Sequence, residues 1–272
     1  MPMITDFNKP FTDPDMLAAP VVTIGATVVT GEIELDFHQH RKAQLILLMR
    51  GVLTCELAGG LWIVPPRCAI WIPGGVTHSV KAAGSLEGYN AFIEPAVAPN
   101  LPANCCTISV TPLLRELMIR SASFPLVYPE GGPESHLVTL LLDEVAAASV
   151  GELHLPMPAD SRLRKIAGMM MDNPRDHGTM EIWARRAGMS ERTLARMIVQ
   201  QTGMTFGRWR QQLDIMLALR WLADGATVQQ VAIDLGYENA GSFVTMFRKA
   251  LGTSPGRYMA ERQGLMSAPP RA

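Results

Sequence analysis

The stretch FHQHRKAQL, residues 37–45, sets His38 and His40 two apart, with Gln44 four residues further on. On a strand, residues i and i+2 point to one side, so both imidazoles can face one ligand. Histidine pairs of this kind hold catalytic metals in many enzymes, and imidazole accepts zinc, nickel or ferrous iron. The competing use is a polar lining for a small organic effector. A second chemistry stands near the other end of the chain. Arg192 and Arg196 are four apart with Thr193 between them, and at helical spacing both guanidinium groups leave the same side of a helix. Arginine forks match the O6/N7 edge of guanine in the DNA major groove. Alone, each of these patterns is compatible with solvated surface residues, so the elements around them must decide.

Around the arginines the chain repeats itself. WARRAGMSERTLARMIVQQTGMTFGRW and VAIDLGYENAGSFVTMFRKALGTSPGRY align with Ala184 and Gly188 on Ala232 and Gly236, 48 residues on. Leu194, Ile198, Gly203 and Trp209 align with Phe243, Phe247, Gly252 and Tyr258, 49 residues on. Each copy reads as a short helix, a glycine turn and a second helix, the helix-turn-helix plan. Ser190 and Asn239 are placed to cap the second helices, Thr227 with Gln230 forms a T-x-x-Q capping box, and Ser254-Pro255 sets a cap before a first-turn proline. In the first copy Leu194 and Ile198 make the inward stripe. In the second the stripe is Phe243 and Phe247, and the outward face offers Gly241, Ser242 and Thr245, with Arg248 and Lys249 at its far end. Those side chains suit a thymine methyl, close backbone approach or a phosphate better than guanine. Phe206, Trp209, Leu213, Met216 and Leu217 predict one continuous helix between the copies, a rod holding them on one side of a duplex. Asp214, acidic in a basic stretch, is expected to pair with a neighbouring arginine.

Charge agrees with two halves of different purpose. Residues 1–159 carry 8 Lys/Arg against 15 Asp/Glu, a balance of −7, and residues 160–272 carry 16 against 10, a balance of +6. The basic half is the one expected to meet a polyanion. No apolar run approaches the roughly 18 residues that a membrane helix needs, and the first residues lack the basic start and apolar run of a secretory signal. Cys55, Cys68, Cys105 and Cys106 lack zinc-ribbon spacing and read as reduced thiols of a cytoplasmic protein.

Residues 21 to about 95 read as β-structure. Ile33, Leu35 and Phe37 alternate with Glu32, Glu34 and Asp36, and CELAGGLWIVPP and RCAIWIPGGV are short apolar stretches cut by Gly-Gly and Pro-Pro, the pattern of a small barrel or sandwich. One conflict follows. In a regular strand Glu32, Glu34 and Asp36 share the histidines' face, so a bulge or bend near Phe37 is expected. Trp62, Trp71, Tyr89 and Phe92 read as barrel packing. From 112 the period becomes helical: TPLLRELMIRSA and PESHLVTLLLDEVAAA, with Pro112 and Pro133 near their starts, predict two amphipathic helices. LHLPMPAD, 153–160, reads as a linker, and the methionines at 169–171 as core filling.

The string AIDLGYENAGSFVTMFRKALGTSPGRY resembles the signature of the AraC/XylS family of bacterial transcription regulators, and AGMSERTLARMI matches the corresponding part of the first unit, over roughly residues 160–262. The resemblance implies a seven-helix DNA-binding domain. The DNA-facing set expected on it is Ser190, Arg192, Thr193 and Arg196 with Asn239, Ser242, Thr245, Arg248 and Lys249. Family members often carry a basic residue where Thr245 stands, which weakens the case for base contact by the second unit. His38, His40, Gln44 and Gly51, followed by Pro73, Gly75 and His78 of PGGVTH, resemble the cupin pattern with glutamine in its glutamate position. That implies a β-barrel in which His38, His40 and His78 converge on a divalent metal, with Gln44 as a neutral fourth group. H-x-HRKAQL with LWIVPP, AIWIPGGVTH and LHLPMP is similar to a subgroup whose members include regulators of drug-efflux transporters beside their own genes.

The expectation is thus an α+β chain: a cupin-like sensor barrel over 1–110, a helical linker hairpin over 111–159 that dimerises, and an all-α tandem helix-turn-helix domain over 160–272. Its partners would be double-stranded DNA, a small effector or metal, a second copy of the chain and RNA polymerase, with no membrane. The rival reading, a metal-dependent cupin enzyme, leaves the repeat and the charge split unexplained, and no nucleophile and base accompany the histidines.

Overall fold

The computed structural model describes residues 3–4, 13–28, 32–57, 60–64, 68–83, 86–151 and 154–263. The turn signals at Gly59 and Pro65-Pro66, and Leu153 at the head of the expected linker, lie outside the described residues. The chain divides into two compact units, residues 1–58 with 62–153, and residues 59–61 with 154–272.

The first eleven strands are β1 (Met3–Ile4), β2 (Val21–Val28), β3 (Glu32–His38), β4 (Ala43–Arg50), β5 (Leu53–Leu57), β6 (Gly60–Val64), β7 (Cys68–Ile72), β8 (His78–Ala83), β9 (Leu86–Ile93), β10 (Cys106–Ser109) and, after two helices, β11 (Val150–Gly151); all belong to the first unit except the first two residues of β6. One sheet runs β1-β2-β9-β4-β7-β10-β11, and β6, β5, β8 and β3 lie in that order in a second. The sequence conflict at Phe37 is resolved as a bulge. Glu34 pairs with Lys81 and Leu35 with Val80, but the next pair is His38 with His78, so three steps on β3 match two on β8. The extra residue leaves Glu34 and Asp36 exposed while His38 turns inward.

β4 is buried through its first six residues because both of its faces are covered. Its outer face, Ala43, Leu45 and Leu47, packs with Trp71, Ala91 and Ile93 beneath the two predicted helices, α1 (Pro112–Ser121) and α2 (Pro133–Ala147). Both prolines sit in the first turn, and Thr111 caps α1 by accepting from Leu114 N–H at 3.0 Å. Leu114, Leu117, Met118, Val138, Leu141 and Val145 share one core with the sheet. The pair is therefore a layer of the first unit, present because an apolar sheet face must be covered. Trp62, Trp71 and Phe92 are buried, Trp71 in this core with Tyr89 half-buried against it, and Phe92 in a separate cluster with Ala19, Val22 and Ile24.

The second unit opens with β12 (His154–Pro156), so the expected linker is not irregular throughout. Its carbonyls find donors on α6 (Phe206–Ala223): Trp209 Nε1 donates to Pro156 O at 2.7 Å and Gln212 Nε2 to His154 O at 3.2 Å. The other helices are α3 (Ser161–Asp172), α4 (Met180–Arg186), α5 (Glu191–Thr202), α7 (Val228–Asp234), α8 (Ala240–Leu251) and α9 (Pro255–Gln263). Of the three methionines only Met170 is fully buried. α6 is buried over Leu213–Leu219, nearly all round, as a central rod must be. Among the described residues no helix is long and apolar enough to cross a membrane.

Candidate functional site

The histidine site grows from the bulge. His38 ends β3, His40 lies in the loop that follows, Gln44 is on β4 and His78 begins β8. Ring centroids lie 6.1 Å apart for His38–His40, 4.4 Å for His38–His78 and 5.2 Å for His40–His78. Their potential ligand nitrogens all fall within 4.8 Å of one another. Each Nδ1 meets a backbone carbonyl: His38 with Asp36 O at 2.7 Å, His40 with Lys42 O at 2.5 Å, His78 with Val76 O at 2.9 Å. A carbonyl only accepts, so in the neutral ring each Nδ1 carries the proton and Nε2 the lone pair, the tautomer of a metal-ligating histidine. His78 Nε2 is buried and makes no hydrogen bond among the described residues. Burial holds the His78 imidazole down to about 4, with the His38 and His40 rings adding to the effect, so the ring is neutral at physiological pH.

His40 Nε2 lies 3.1 Å from Gln44 Oε1. With Nδ1 protonated, both atoms are acceptors. Two acceptors at that separation are at ease only with a cation sharing them, or with the amide turned to present its NH₂. The four groups therefore fit a divalent ion, by an orphaned nitrogen and by the make-up of the donor set.

The loop carrying His40 is held by residues that sequence reading did not single out. Asp15 accepts from the N–H groups of Arg41 at 2.6 Å and Lys42 at 2.9 Å. The Lys42 side chain is buried, its Nζ donating to Leu17 O and Ala19 O at 2.7 Å each, and burial lowers its pKa. Lys42 was in plain view within HRKAQL, but nothing local tells a buried lysine from a solvated one.

In the second unit the repeat is also a repeat of hydrogen bonds. Met189 N–H donates to Ala184 O at 3.0 Å and Tyr237 N–H to Ala232 O at 2.9 Å, across turns where Gly188 and Gly236 have φ of 65° and 79°. At Gly236 an added Cβ would come within 2.9 Å of both the His177 ring and Arg175 O, so only glycine fits. Ser190 caps α5 by accepting from Thr193 N–H at 3.2 Å, and Asn239 caps α8 by accepting from Ser242 N–H at 2.9 Å. Thr227 accepts from Gln230 N–H, but the Gln230 side chain turns to Asp234 instead of closing the box.

Arginines of this unit fall into two groups. Arg185 pairs with Glu181, and Arg186 pairs with Asp176 and stacks 4.4 Å over the Trp183 ring. Arg192 and Arg196, on the face of α5 opposite buried Leu194 and Ile198, are exposed and have no ion pair among the described residues. Arg248 and Lys249 on α8 are likewise exposed and unpaired among the described residues. The Thr245 hydroxyl donates to Gly241 O at 2.9 Å, which commits its proton to the helix. Asp214 has the expected arginine, and more. Arg210 Nε donates to its Oδ1 at 3.2 Å, Tyr237 OH to its Oδ2 at 3.1 Å, and the Arg210 fork also reaches Asp176 O and Pro174 O. Sequence reading missed the Tyr237 link, which ties the rod to the second helix-turn-helix.

Residues 32–154 match the AraC-like ligand binding domain, and residues 183–261 match a helix-turn-helix domain. Over 248 residues the chain is 42% identical to the HTH-type transcriptional regulator NimR of Escherichia coli, covering 91% of this chain and 90% of that one. The chain belongs to the AraC family of transcription regulators. As an AraC-family regulator it is a DNA-binding protein with a ligand-binding domain, and its relatives are named as regulators, which sets the enzyme reading aside. It is also 32% identical over 118 residues to the regulator RipA of Corynebacterium glutamicum, covering 43% of this chain and 36% of that protein. The crystal structure of the DNA-binding domain of AdpA with a target DNA is 25% identical, covering 40% of this chain and all of that one, with a TM-score of 0.37.

Proposed function

We propose that the protein is an effector-responsive regulator whose barrel binds a small molecule at the histidine cluster and whose α5 face reads bases. The observation that carries this is the contrast among the arginines: Arg185 and Arg186 are spent on intramolecular partners, while Arg192 and Arg196 stand exposed on one helix face. Ser190 precedes them and Thr193 lies between them at the helix start, where backbone N–H groups favour phosphate. Asn239, Ser242, Thr245, Arg248 and Lys249 position the second unit on the backbone more than they read sequence. α6 spans about 27 Å, which suits two units on successive major grooves.

The working form is a cytoplasmic homodimer joined through α1 and α2, able to meet RNA polymerase at a promoter. Resemblance to the efflux-regulator subgroup makes a neighbouring transporter gene the first target to examine. Footprinting on the upstream region, with sedimentation at micromolar concentration, tests this. A dimer protecting two half-sites is expected. A monomer protecting one removes the dimer, and no protection at low salt removes the regulator's proposed operator.

His38, His40, His78 and Gln44 would hold a divalent zinc, nickel or iron ion. Such an ion would supply a Lewis-acidic centre able to attract an effector atom with a lone pair. Elemental analysis of untagged protein purified without added metal should find close to one ion per chain in the wild type and a loss of at least tenfold in affinity for His78→Ala. A wild type without metal would leave the histidines as lining for an organic effector.

A further inference from the structure

We propose that Asn90 is a second recognition point inside the barrel, accepting a hydrogen bond from an N–H or O–H group of the effector. The effector class is then a small, mainly apolar molecule with such a donor about one strand repeat from the end that meets the histidines. This rests on the reading of the barrel as an effector site.

The argument starts from register. On β9, Phe92 lies opposite Val22 on one side and Gln44 on the other, and Asn90 lies opposite Ile24 and Ile46. Directly opposed residues of antiparallel strands share a face, and so do residues two apart. Asn90, Phe92, Gln44, Ile24 and Ile46 therefore form one surface. It is the surface that faces the histidines, because the His40 ring lies 5.4 Å from the Phe92 ring and its Nε2 lies 3.1 Å from the Gln44 amide. The opposite face of the same strands is filled by α1 and α2.

On that surface Asn90 is out of place. Asparagine is depleted in strands, and this one sits between two isoleucines that are 8% and 6% exposed. Its Oδ1 is buried and has no hydrogen-bond partner among the described residues. A valine or leucine would fill the position without leaving a bare acceptor. The oxygen is enclosed, but the residue as a whole is only half-buried in the middle of a paired strand, so another part of its side chain reaches open space and a turn about its side-chain bonds presents the oxygen there. In the first unit the buried polar side-chain atoms without a hydrogen bond, among the described residues, are His78 Nε2 and this oxygen. The first fits a cation or a donor. The second, flanked by aliphatic side chains, fits a donor alone. Two residues along β9 set Asn90 and Phe92 about 7 Å apart, the span a single small ring system with a substituent covers.

Ligand-observed NMR on the full chain tests this with matched fragments, phenol against anisole and indole against 1-methylindole, on wild type, Asn90→Leu and Asn90→Val. The wild type should bind each donor fragment about tenfold more tightly than its methylated partner. In the variants the ratio should fall to about one, with no drop in melting temperature. Two variants are used so that one poorly folded protein does not decide the matter. Fragment binding with no donor preference in the wild type, or with the same preference in both variants, overturns the role of Asn90 and leaves the effector reading standing. Failure of every fragment to bind overturns both.

Discussion

Asp214→Ala will cost the second unit about 3–5 kcal/mol, while Asp214→Asn, which keeps one acceptor, will cost less. The aspartate is 3% exposed and its partner Arg210 is nearly as enclosed. Removing the carboxylate leaves a guanidinium buried beside Asp176 O and Pro174 O with no counter-charge, and leaves Tyr237 OH without its acceptor. For a unit of this size the loss corresponds to at least about 12 °C in melting temperature. Asparagine keeps one oxygen, enough for Arg210 or for Tyr237 but not for both, and its volume is conserved. It also removes a charge that the site holds at a cost. Burial pushes the Asp214 carboxyl above its ordinary value of 3.8, against the pull of Arg210, Tyr237 and His177. A carboxyl raised on folding destabilises in its ionised form. The wild type thus loses stability as pH rises from 3.8 through the raised folded value, and Asp214→Asn does not. The margin of the wild type over the asparagine variant should therefore be widest below 3.8 and narrow towards neutral pH. Helical melts followed by circular dichroism at several pH values measure this, and equal losses for the two variants would refute it.

What the sequence made legible follows the range of the interactions involved. The helix-turn-helix pair could be read because each device is local: a cap three residues from its donor, a glycine at one turn, an inward stripe at i,i+4. The same holds for the histidine pair, and even the bulge near Phe37 was required by an alternation that otherwise put acids against imidazoles. Contacts that cross strands could not be read. Asn90 is brought beside Ile46 by the β4–β9 register, and nothing in LEGYNAFI states that register. Lys42 is buried by carbonyls more than 20 residues away. α1 and α2 were recognisable as amphipathic helices, but their partner was not, because an apolar stripe does not say whether it covers a sheet or a second chain. Pro156 and Pro158 signalled irregular backbone, yet residues 154–156 form a short strand that includes the first of them, with Trp209 and Gln212 donating to its carbonyls.

Arg192→Ala and Arg196→Ala will each weaken operator binding by about 1–3 kcal/mol, or about 5- to 150-fold, with little change in binding to random duplex. The size follows from what a bidentate arginine–guanine pair contributes to discrimination. The selectivity follows from geometry: both side chains are exposed beyond a stripe formed by Leu194 and Ile198, and among the described residues neither has an intramolecular carboxylate to release. Thermal stability should therefore stay within about 0.5 kcal/mol of wild type, as for surface positions without structural partners. Arg248→Ala and Lys249→Ala separate reading from positioning. Each should weaken operator and random duplex alike and lower the salt slope by about one, the signature of a lost phosphate contact. Binding to both duplexes at two salt concentrations resolves the two patterns. If Arg192→Ala and Arg196→Ala behave like the α8 variants, the α5 face grips the backbone and sequence is read elsewhere. The long α6 rod then serves to set spacing, with discrimination left to DNA shape at the positions between the two grooves.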